Sequence, residues 1–525
     1  MTDAVGRARL HGWLRAAIVA VTVALAFVYL AAERRTGPFG FPLDDAWIHA
    51  QFATNLAHGH GLAFNAGEPS TGSTSPLWTA LLALPIALGV PVVTGAKTMG
   101  IVLAAIAAIL AFDLARLLSG STAAGCVAGG AVACSARLTW GAVSGMEVPL
   151  AVALVVLTLV MFVRDEGERG WMWGLLAGLA TLARPETGLL FPILAGVVLA
   201  SGSRLGWRAR LRGVVVPATW AFVVVVAIDL VVNVFVSGRP LPETFYAKTA
   251  GAGLVNGIAR FDPMEIARSM TTRPLGTLNT SIRLAAGESL IAFLFVLIGG
   301  LATIGVLGRP RRFAGVAVPL FLVLSPLAVG AMAPVPHYFQ QDGRYVAHLL
   351  ALFFVVSAVG MAELAGRARH PSIVWGLAVL AIARLLSQDV AYAPQYAAQV
   401  DNINRLHVAM GEWLSMHTAP ADTIATNDIG AIGFFSGRRV IDLEGLVTPA
   451  VLPYRAERAY VSFVERERPA WLVIFPEWYP ELAARTDLFH EVSHITVPHV
   501  SAAHDSLVVY ATPWTPSAEA ATVGP

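Results

Sequence analysis

Two adjacent carboxylates, Asp44 and Asp45, are the side chains of this chain best suited to acid–base chemistry. They follow a first apolar stretch and precede 46–57, where apolar residues recur at helical spacing. This pattern predicts an amphipathic helix lying on a membrane surface with a carboxylate at its start. Such a carboxylate can remove a proton from a hydroxyl, which is general-base work. Alternatively, one aspartate only caps this helix; a cap leaves the second one unexplained.

The polar loop that contains the aspartates, 33–75, ends in a hydroxyl-rich stretch. Thr74 and Ser75 of this stretch are candidates to bind a polar substrate. An ordinary entry into the next helix explains them equally well, because Pro76 suits the first helical position.

Ionisable residues also occur within or beside apolar segments. Arg184-Pro185-Glu186 interrupts one such stretch, and Glu147 begins another. Charges at membrane depth are costly and therefore suggest a functional site, with Arg184 as the natural partner of a phosphate and the two glutamates as substrate-binding groups. The alternatives are a salt bridge that closes the hairpin at Arg184 and a merely solvated Glu147.

Two later loops carry further candidates. Lys248, His337 and Arg344 could neutralise a departing phosphate, and Glu243 could bind substrate. Each cation could instead be an interfacial anchor, since basic and aromatic residues gather at membrane boundaries.

The composition defines the class of protein. Of 525 residues, 56% are hydrophobic and 13% charged, and the mean hydropathy is +0.65, which is typical of a polytopic membrane protein. A net charge of +2 gives no reason to expect nucleic acid. Cys126 and Cys134 share one apolar segment and form no disulfide framework. His58 and His60 alternate in a glycine-rich turn without a third ligand nearby, so we predict no metal site.

The apolar segments predict a helical membrane domain with about eleven transmembrane helices. An apolar run near 16–32 after three arginines predicts an uncleaved anchor with a cytoplasmic N-terminus. Arginine clusters at 204–212, 309–312 and 367–370 mark cytoplasmic loops. Because the chain must return to the cytoplasm by the cluster at 204–212, either 76–90 is re-entrant or 171–201 crosses the membrane only once. The first option keeps Arg184 at the outer tip of a hairpin. Both options place the C-terminal region outside the cytoplasm.

Composition changes after about residue 389, which predicts two domains: a membrane domain over 1–389 and a small extracytoplasmic α/β domain over 390–525. In the second domain, 402–416 has helical spacing. Four short stretches rich in β-branched residues predict strands. They lie at 423–426, 440–443, 471–475 and 507–510.

With these residues in view, the chain resembles the GT-C superfamily of integral-membrane glycosyltransferases, and within it the branch of actinobacterial arabinofuranosyltransferases. The strings that carry the resemblance lie at 44–48, 55–69, 74–78, 144–147, 241–248 and 428–433. Glu243 departs from the branch, where Asn is expected, and leaves the acceptor or sugar type open.

The resemblance implies a plasma-membrane enzyme that moves a sugar such as arabinofuranose from a polyprenyl-phosphate donor to an extracytoplasmic cell-envelope glycan. It implies inversion by direct displacement, with Asp44 as the base and Asp45 assisting or orienting. It names no cofactor beyond the donor and leaves a requirement for a divalent cation open. Two alternatives remain from the residues: a transporter or flippase of lipid-linked sugars, and a non-catalytic membrane scaffold.

Overall fold

The structure is a computed structural model and describes residues 2–201, 206–249, 252–307, 312–332 and 343–516. It consists of a helical membrane part followed by a small C-terminal α/β domain, which confirms the predicted fold class. Several of its helices are long and apolar enough to cross a bilayer, so the chain is an integral, multi-pass membrane protein.

Six helical stretches within the described residues can span a membrane by length and composition. They are Ala8–Thr36, Val92–Ser119, Trp207–Ser237, Phe313–Met332, Ala347–Arg367 and Pro371–His417. A seventh span is formed if Thr122–Ala133 and Ala136–Val143, which meet at 55°, act as one broken helix.

Five shorter apolar helices accompany these spans: Pro76–Ala87, Val148–Arg164, Gly170–Ala183, Pro185–Ala200 and Leu290–Thr303. Pro76–Ala87 has 12 residues. At 1.5 Å per residue it is about 18 Å long, well short of a hydrocarbon core of about 30 Å.

The remaining helices before the C-terminal domain are short or polar. They are Asp44–Ala57, Glu243–Thr249, Leu254–Ala259, Pro263–Met270 and Thr272–Glu288. The predicted helix after the paired aspartates is therefore confirmed, and we call Asp44–Ala57 the first-loop helix.

The chain folds into two compact units, each assembled from separate segments. The first unit comprises 1–31, 97–229 and 252–393, and the second comprises 32–96, 230–251 and 394–525. The first-loop helix thus belongs to the same unit as the C-terminal sheet.

The sheet has five strands: β1 (Thr423–Thr426), β2 (Arg439–Asp442), β3 (Trp471–Ile474), β4 (His490–Thr496) and β5 (Ser506–Ala511). Their order is β2-β1-β3-β5-β4, with β1, β2 and β3 parallel and β5 antiparallel to both neighbours. The four predicted strands are confirmed. β4 was not predicted, because it is a largely exposed edge strand whose polar residues give no apolar run.

Helices cover both faces of this sheet. They are Ala409–His417, Ile429–Ser436, Leu452–Glu457, Tyr460–Glu467 and Pro480–Ala483. Ile429–Ser436, here called the crossover helix, connects β1 to β2 and packs Ile432 against one face. Tyr460–Glu467 packs Phe463 and Val464 against the opposite face. This two-faced arrangement is that of a small doubly wound sheet.

Candidate active site

Asp44 is the first residue of the first-loop helix, yet it does not cap that helix. The N-cap residue is Leu43 and makes no side-chain capping bond, so the capping alternative was wrong as stated. Asp44 instead receives hydrogen bonds from the crossover helix. Its Oδ2 accepts from the backbone N–H of Gly430, and its Oδ1 from that of Ala431, both at 2.7 Å. The carboxylate therefore sits at the positive end of another helix.

The close approach of these two helices requires glycine at position 430. A Cβ added to Gly430 would lie 2.1 Å from the main-chain oxygen of Asp44 and 2.8 Å from its Oδ2. Because the nearer atom belongs to the backbone, no side-chain rotation could relieve this overlap.

We expect Gly430→Ala to push Asp44 away from the crossover helix and to lower the free energy of unfolding by about 1–3 kcal/mol, as overpacking does. Thermal unfolding of the purified protein in detergent measures this. Gly376→Ala is the matched control, since a Cβ at this helical glycine would meet nothing within 4 Å. Equal stability of the two variants would contradict the close contact at Gly430.

An ion pair borders the Asp44 carboxylate. His407 Nε2 lies 2.7 Å from Asp428 Oδ2, and the His407 side chain is fully buried. Burial raises the pKa of Asp44 from 3.8 to about 6; the charge of His407 opposes this rise, and that of Asp428 adds to it. The pKa of Asp44 therefore lies close to the range in which a carboxylate works best as a general base.

The hydrogen bonds to the crossover helix leave Asp44 with acceptor capacity. An ionised carboxylate offers about four lone-pair sites, and the two N–H groups use one on each oxygen. Asp44 is only half-buried, as is its neighbour Asp45, the second residue of the first-loop helix. The carboxylate is thus both fixed in place and able to accept a proton.

The hydroxyl residues at the end of the first loop differ in burial. Ser75 is fully buried as the N-cap residue of Pro76–Ala87, and its Oγ has no hydrogen-bond partner among the described residues. Thr74, the residue before it, is half-buried. Of the two, Ser75 is therefore the one that holds an unused polar atom inside the protein.

Glu243 holds the first loop in place. Its Oε2 accepts from Ser70 Oγ at 2.6 Å and from the Thr71 N–H at 3.1 Å. Burial raises the pKa of this carboxyl group, and the bonds from Ser70 and Thr71 oppose the rise. Lys248 lies on the same short helix and is exposed. The structure therefore gives Glu243 a loop-fixing contact, which sequence alone did not suggest.

Arg184 lies at a break between two helices. Its backbone is extended, with φ −152° and ψ 118°, because a residue before proline avoids the helical region. Its Nη1 lies 2.7 Å from Glu147 Oε1, and its Nε lies 2.5 Å from Glu186 Oε1. The salt bridge that the sequence offered as an alternative is present, and Glu147 contributes a second carboxylate to it.

A second guanidinium adjoins this ion cluster. The ring of Tyr345 lies 5.2 Å from Cζ of Arg184 and 4.9 Å from Cζ of Arg344. His348 is also buried there, and neither of its ring nitrogens has a hydrogen-bond partner among the described residues. Two cations and an unsatisfied imidazole thus gather in the first unit. His337, the remaining predicted phosphate ligand, lies outside the described residues.

No group of three or more His, Cys, Asp or Glu side chains that could hold a metal ion occurs in the described part of the chain. His58, considered above as a ligand, has its Nδ1 2.7 Å from the carbonyl oxygen of Thr54 within its own helix.

Sequence reasoning missed three residues of these clusters: His407, Asp428 and His348. The helical spacing at 402–416 places His407 among the apolar residues of one helix face. A buried histidine there demands a polar partner, which was an available signal. His348 follows Arg344 by four residues, a spacing that can bring two side chains to one face.

Solved structures of similar fold include an oligosaccharyltransferase, ArnT and an arabinofuranosyltransferase. The oligosaccharyltransferase of Archaeoglobus fulgidus matches with a TM-score of 0.57 and 15% identity over 87% of this chain and 68% of that chain. ArnT from Cupriavidus metallidurans, bound to undecaprenyl phosphate, matches with a TM-score of 0.53 and 15% identity over 95% of this chain and 98% of that one. Arabinofuranosyltransferase AftD from Mycobacteria matches with a TM-score of 0.52 and 15% identity. This match covers 95% of this chain and 40% of that chain.

At these identities the likeness concerns the fold alone. Residues 389–514 also match a protein-family model described as Domain of unknown function (DUF8728). No curated protein matches the chain by sequence.

Proposed function

We propose that this protein is a glycosyltransferase that takes a sugar from a polyprenyl-phosphate donor and transfers it, with inversion, to a glycan acceptor outside the cytoplasm. The observation that carries the proposal is the half-buried Asp44 carboxylate, held by two backbone N–H groups and with its pKa raised by burial to about 6. The GT-C-like fold supports the same class of reaction.

In the proposed reaction, an acceptor hydroxyl attacks the anomeric carbon of the donor. Asp44 takes the hydroxyl proton as the new C–O bond forms, and the bond from the anomeric carbon to the phosphate oxygen breaks. The lipid phosphate leaves with the electron pair. Asp45 would orient the hydroxyl or Asp44 itself, and Thr74 and Ser75 are proposed to contact the substrate.

The departing phosphate needs positive charge that is already in place. Arg184 and Arg344 are proposed to supply it, and Lys248 and His337 remain proposed as further ligands. Glu147 and Glu186 would then act mainly through Arg184, which they hold by charge-assisted hydrogen bonds of 2.7 and 2.5 Å. A guanidinium fixed in this way needs little reorganisation when charge develops.

Arabinofuranose is the first sugar to test, because the first-loop strings resemble that branch and one similar structure is an arabinofuranosyltransferase. A polyprenyl phosphate is the carrier to test, because ArnT was solved with undecaprenyl phosphate. The acceptor is proposed to be a cell-envelope glycan. The C-terminal domain is proposed to lie on the extracytoplasmic side of the plasma membrane, where it has access to this glycan.

We expect the purified protein in lipid nanodiscs to transfer sugar from a polyprenyl-phosphate donor to an oligosaccharide acceptor. Because Asp44 must be ionised to act as base, log(kcat/KM) should rise with unit slope up to about pH 6 and then level off. Product mass and anomeric configuration measure transfer and inversion. Transport of donor across vesicles without any transfer would contradict the proposal, and a rate independent of pH between 4.5 and 7.5 would contradict the role of Asp44.

A further inference from the structure

The carboxyl ends of the parallel strands place several loops at one edge of the sheet. Asp428 follows β1, and Phe475 and Trp478 follow β3, which pairs with β1 in parallel register. The segment that leads into β5 reaches the same edge, because β5 runs antiparallel to β3. His504 lies in that segment.

This edge also contains the switch point of the fold. From β1 the chain passes through the crossover helix to β2 on one side and later returns to β3 on the other side of β1. Ligands of doubly wound sheets bind in the crevice that this change of direction opens between the two connections. Here, Asp428 flanks the crevice on one side and the loop after β3 flanks it on the other.

Trp478 is unusual among the tryptophans of the C-terminal domain, because the residue is 45% exposed, whereas the others are buried or half-buried. Two rings support it from behind. Its centroid lies 6.0 Å from that of Phe475, which is fully buried, and 6.2 Å from that of His504, in edge-to-face geometry. An exposed indole held by a buried ring is a rigid platform and costs little entropy on binding.

The platform lies close to the candidate base. The ring of Phe475 packs against both Trp478 and His407, with centroids 6.0 Å apart in each case. His407 in turn pairs with Asp428, and both act electrostatically on Asp44. One buried ring therefore contacts both Trp478 and the histidine that borders Asp44.

We propose that Trp478 forms an acceptor subsite that stacks a neutral sugar ring and so positions the glycan whose hydroxyl is deprotonated. This inference rests on the proposed function and names a specificity-determining residue for it. The electron-rich indole face attracts the partly positive C–H groups on the apolar face of a sugar. The exposed carboxylate of Glu477, the preceding residue in the chain, can accept hydrogen bonds from sugar hydroxyls.

The same surroundings argue against a lipid surface as the occupant. Exposed tryptophans do serve as interfacial anchors in membrane proteins. Anionic headgroups, however, attract basic residues, whereas the residue before this tryptophan, Glu477, is an exposed acidic one.

The test is sugar binding by the full chain in nanodiscs, measured without donor. The probes are linear neutral oligomers of three to six arabinofuranose, galactose, mannose or glucose units. We expect Trp478→Ala to lower the affinity for the tightest-binding oligomer at least about tenfold, because one aromatic contact is lost. Trp478→Phe should lower this affinity less. Saturation-transfer NMR should show contact from aromatic protons to the sugar in the parent protein only.

Trp413→Ala is the matched control. Trp413 is a half-buried tryptophan of the same unit. Its ring stacks on that of His417, with centroids 4.4 Å apart, on the helix that precedes β1 and thus away from the carboxyl ends of the strands. We expect this variant to bind the oligomer within twofold of the parent. In the transfer assay, Trp478→Ala should raise the acceptor KM and leave kcat at saturating acceptor within twofold, a split that a general folding defect would not produce.

The subsite would be overturned if no oligomer bound the parent protein, or if Trp478→Ala and Trp413→Ala bound the oligomer equally well. It would also be overturned if brominated lipids quenched the tryptophan fluorescence of the parent more than that of Trp478→Ala. The last would assign Trp478 to the bilayer surface. Failure of the proposed function is distinguishable, because a chain that binds sugar through Trp478 but transfers none would contradict only the enzyme assignment.

Discussion

Asp44→Asn should reduce sugar transfer about 10³-fold, the typical contribution of a positioned general base. An amide of the same shape cannot take the hydroxyl proton near neutral pH. It can still accept one of the two backbone N–H bonds from the crossover helix, so the first-loop helix should stay docked. Initial rates with saturating donor and acceptor measure the loss, and thermal unfolding in detergent shows that the fold is retained.

The pH dependence of stability provides an independent check on Asp44. Its pKa is raised by burial from 3.8 to about 6, so the folded protein binds this proton more tightly than the unfolded chain. The stability from this group is therefore fully present below about pH 4 and lost as pH rises through 6. Asp44→Asn should remove that part of the pH dependence.

Asp45→Asn is the matched control for the base assignment, because it changes the adjacent carboxylate and leaves both bonds to the crossover helix. We expect a smaller loss than for Asp44→Asn, since Asp45 is proposed only to orient. The reverse order of the two effects would transfer the role of base to Asp45.

Arg184→Met should strongly destabilise the first unit. The Arg184 and Glu147 side chains are 6% and 5% exposed, so removing the cation leaves buried carboxylates without their partner. Breaking a buried ion pair costs about 3–5 kcal/mol. Thermal unfolding measures this cost, and binding of polyprenyl phosphate to the nanodisc-embedded protein measures the expected loss of donor affinity.

A charge-balanced variant separates the two roles of Arg184. The triple change Arg184→Met, Glu147→Gln and Glu186→Gln removes the unpaired charges and should recover most of the stability without recovering phosphate binding. Arg273→Met is the control, since Arg273 pairs with Glu265 in the same unit. Phosphate binding equal to that of the parent in the triple variant would exclude Arg184 from the donor site.

Local patterns predicted the elements of this fold well. Stretches rich in β-branched residues at 423–426 and 471–474 formed strands, and the amphipathic stretch after Asp45 formed a helix. β4 escaped prediction because an edge strand with one solvated face needs no apolar run.

The partners within the candidate site could not be predicted in the same way. Asp44 meets Gly430 and Ala431, which are 386 and 387 positions away along the chain. Similarly, Glu147 meets Arg184 across a distance of 37 positions. Periodicity within one helix carries no information about such contacts. Tertiary packing, which brings distant segments of the chain together, decides these partners.

The contact between the first-loop helix and the crossover helix also restricts which segments of this chain can be replaced to make a chimera. Replacing only the residues after 393 with those of a relative would graft a foreign helix end onto Asp44. A donor with any side chain at position 430 would collide with the main chain there. The unit that a chimera must exchange as a whole is therefore discontinuous in sequence. It consists of segments 32–96, 230–251 and 394–525.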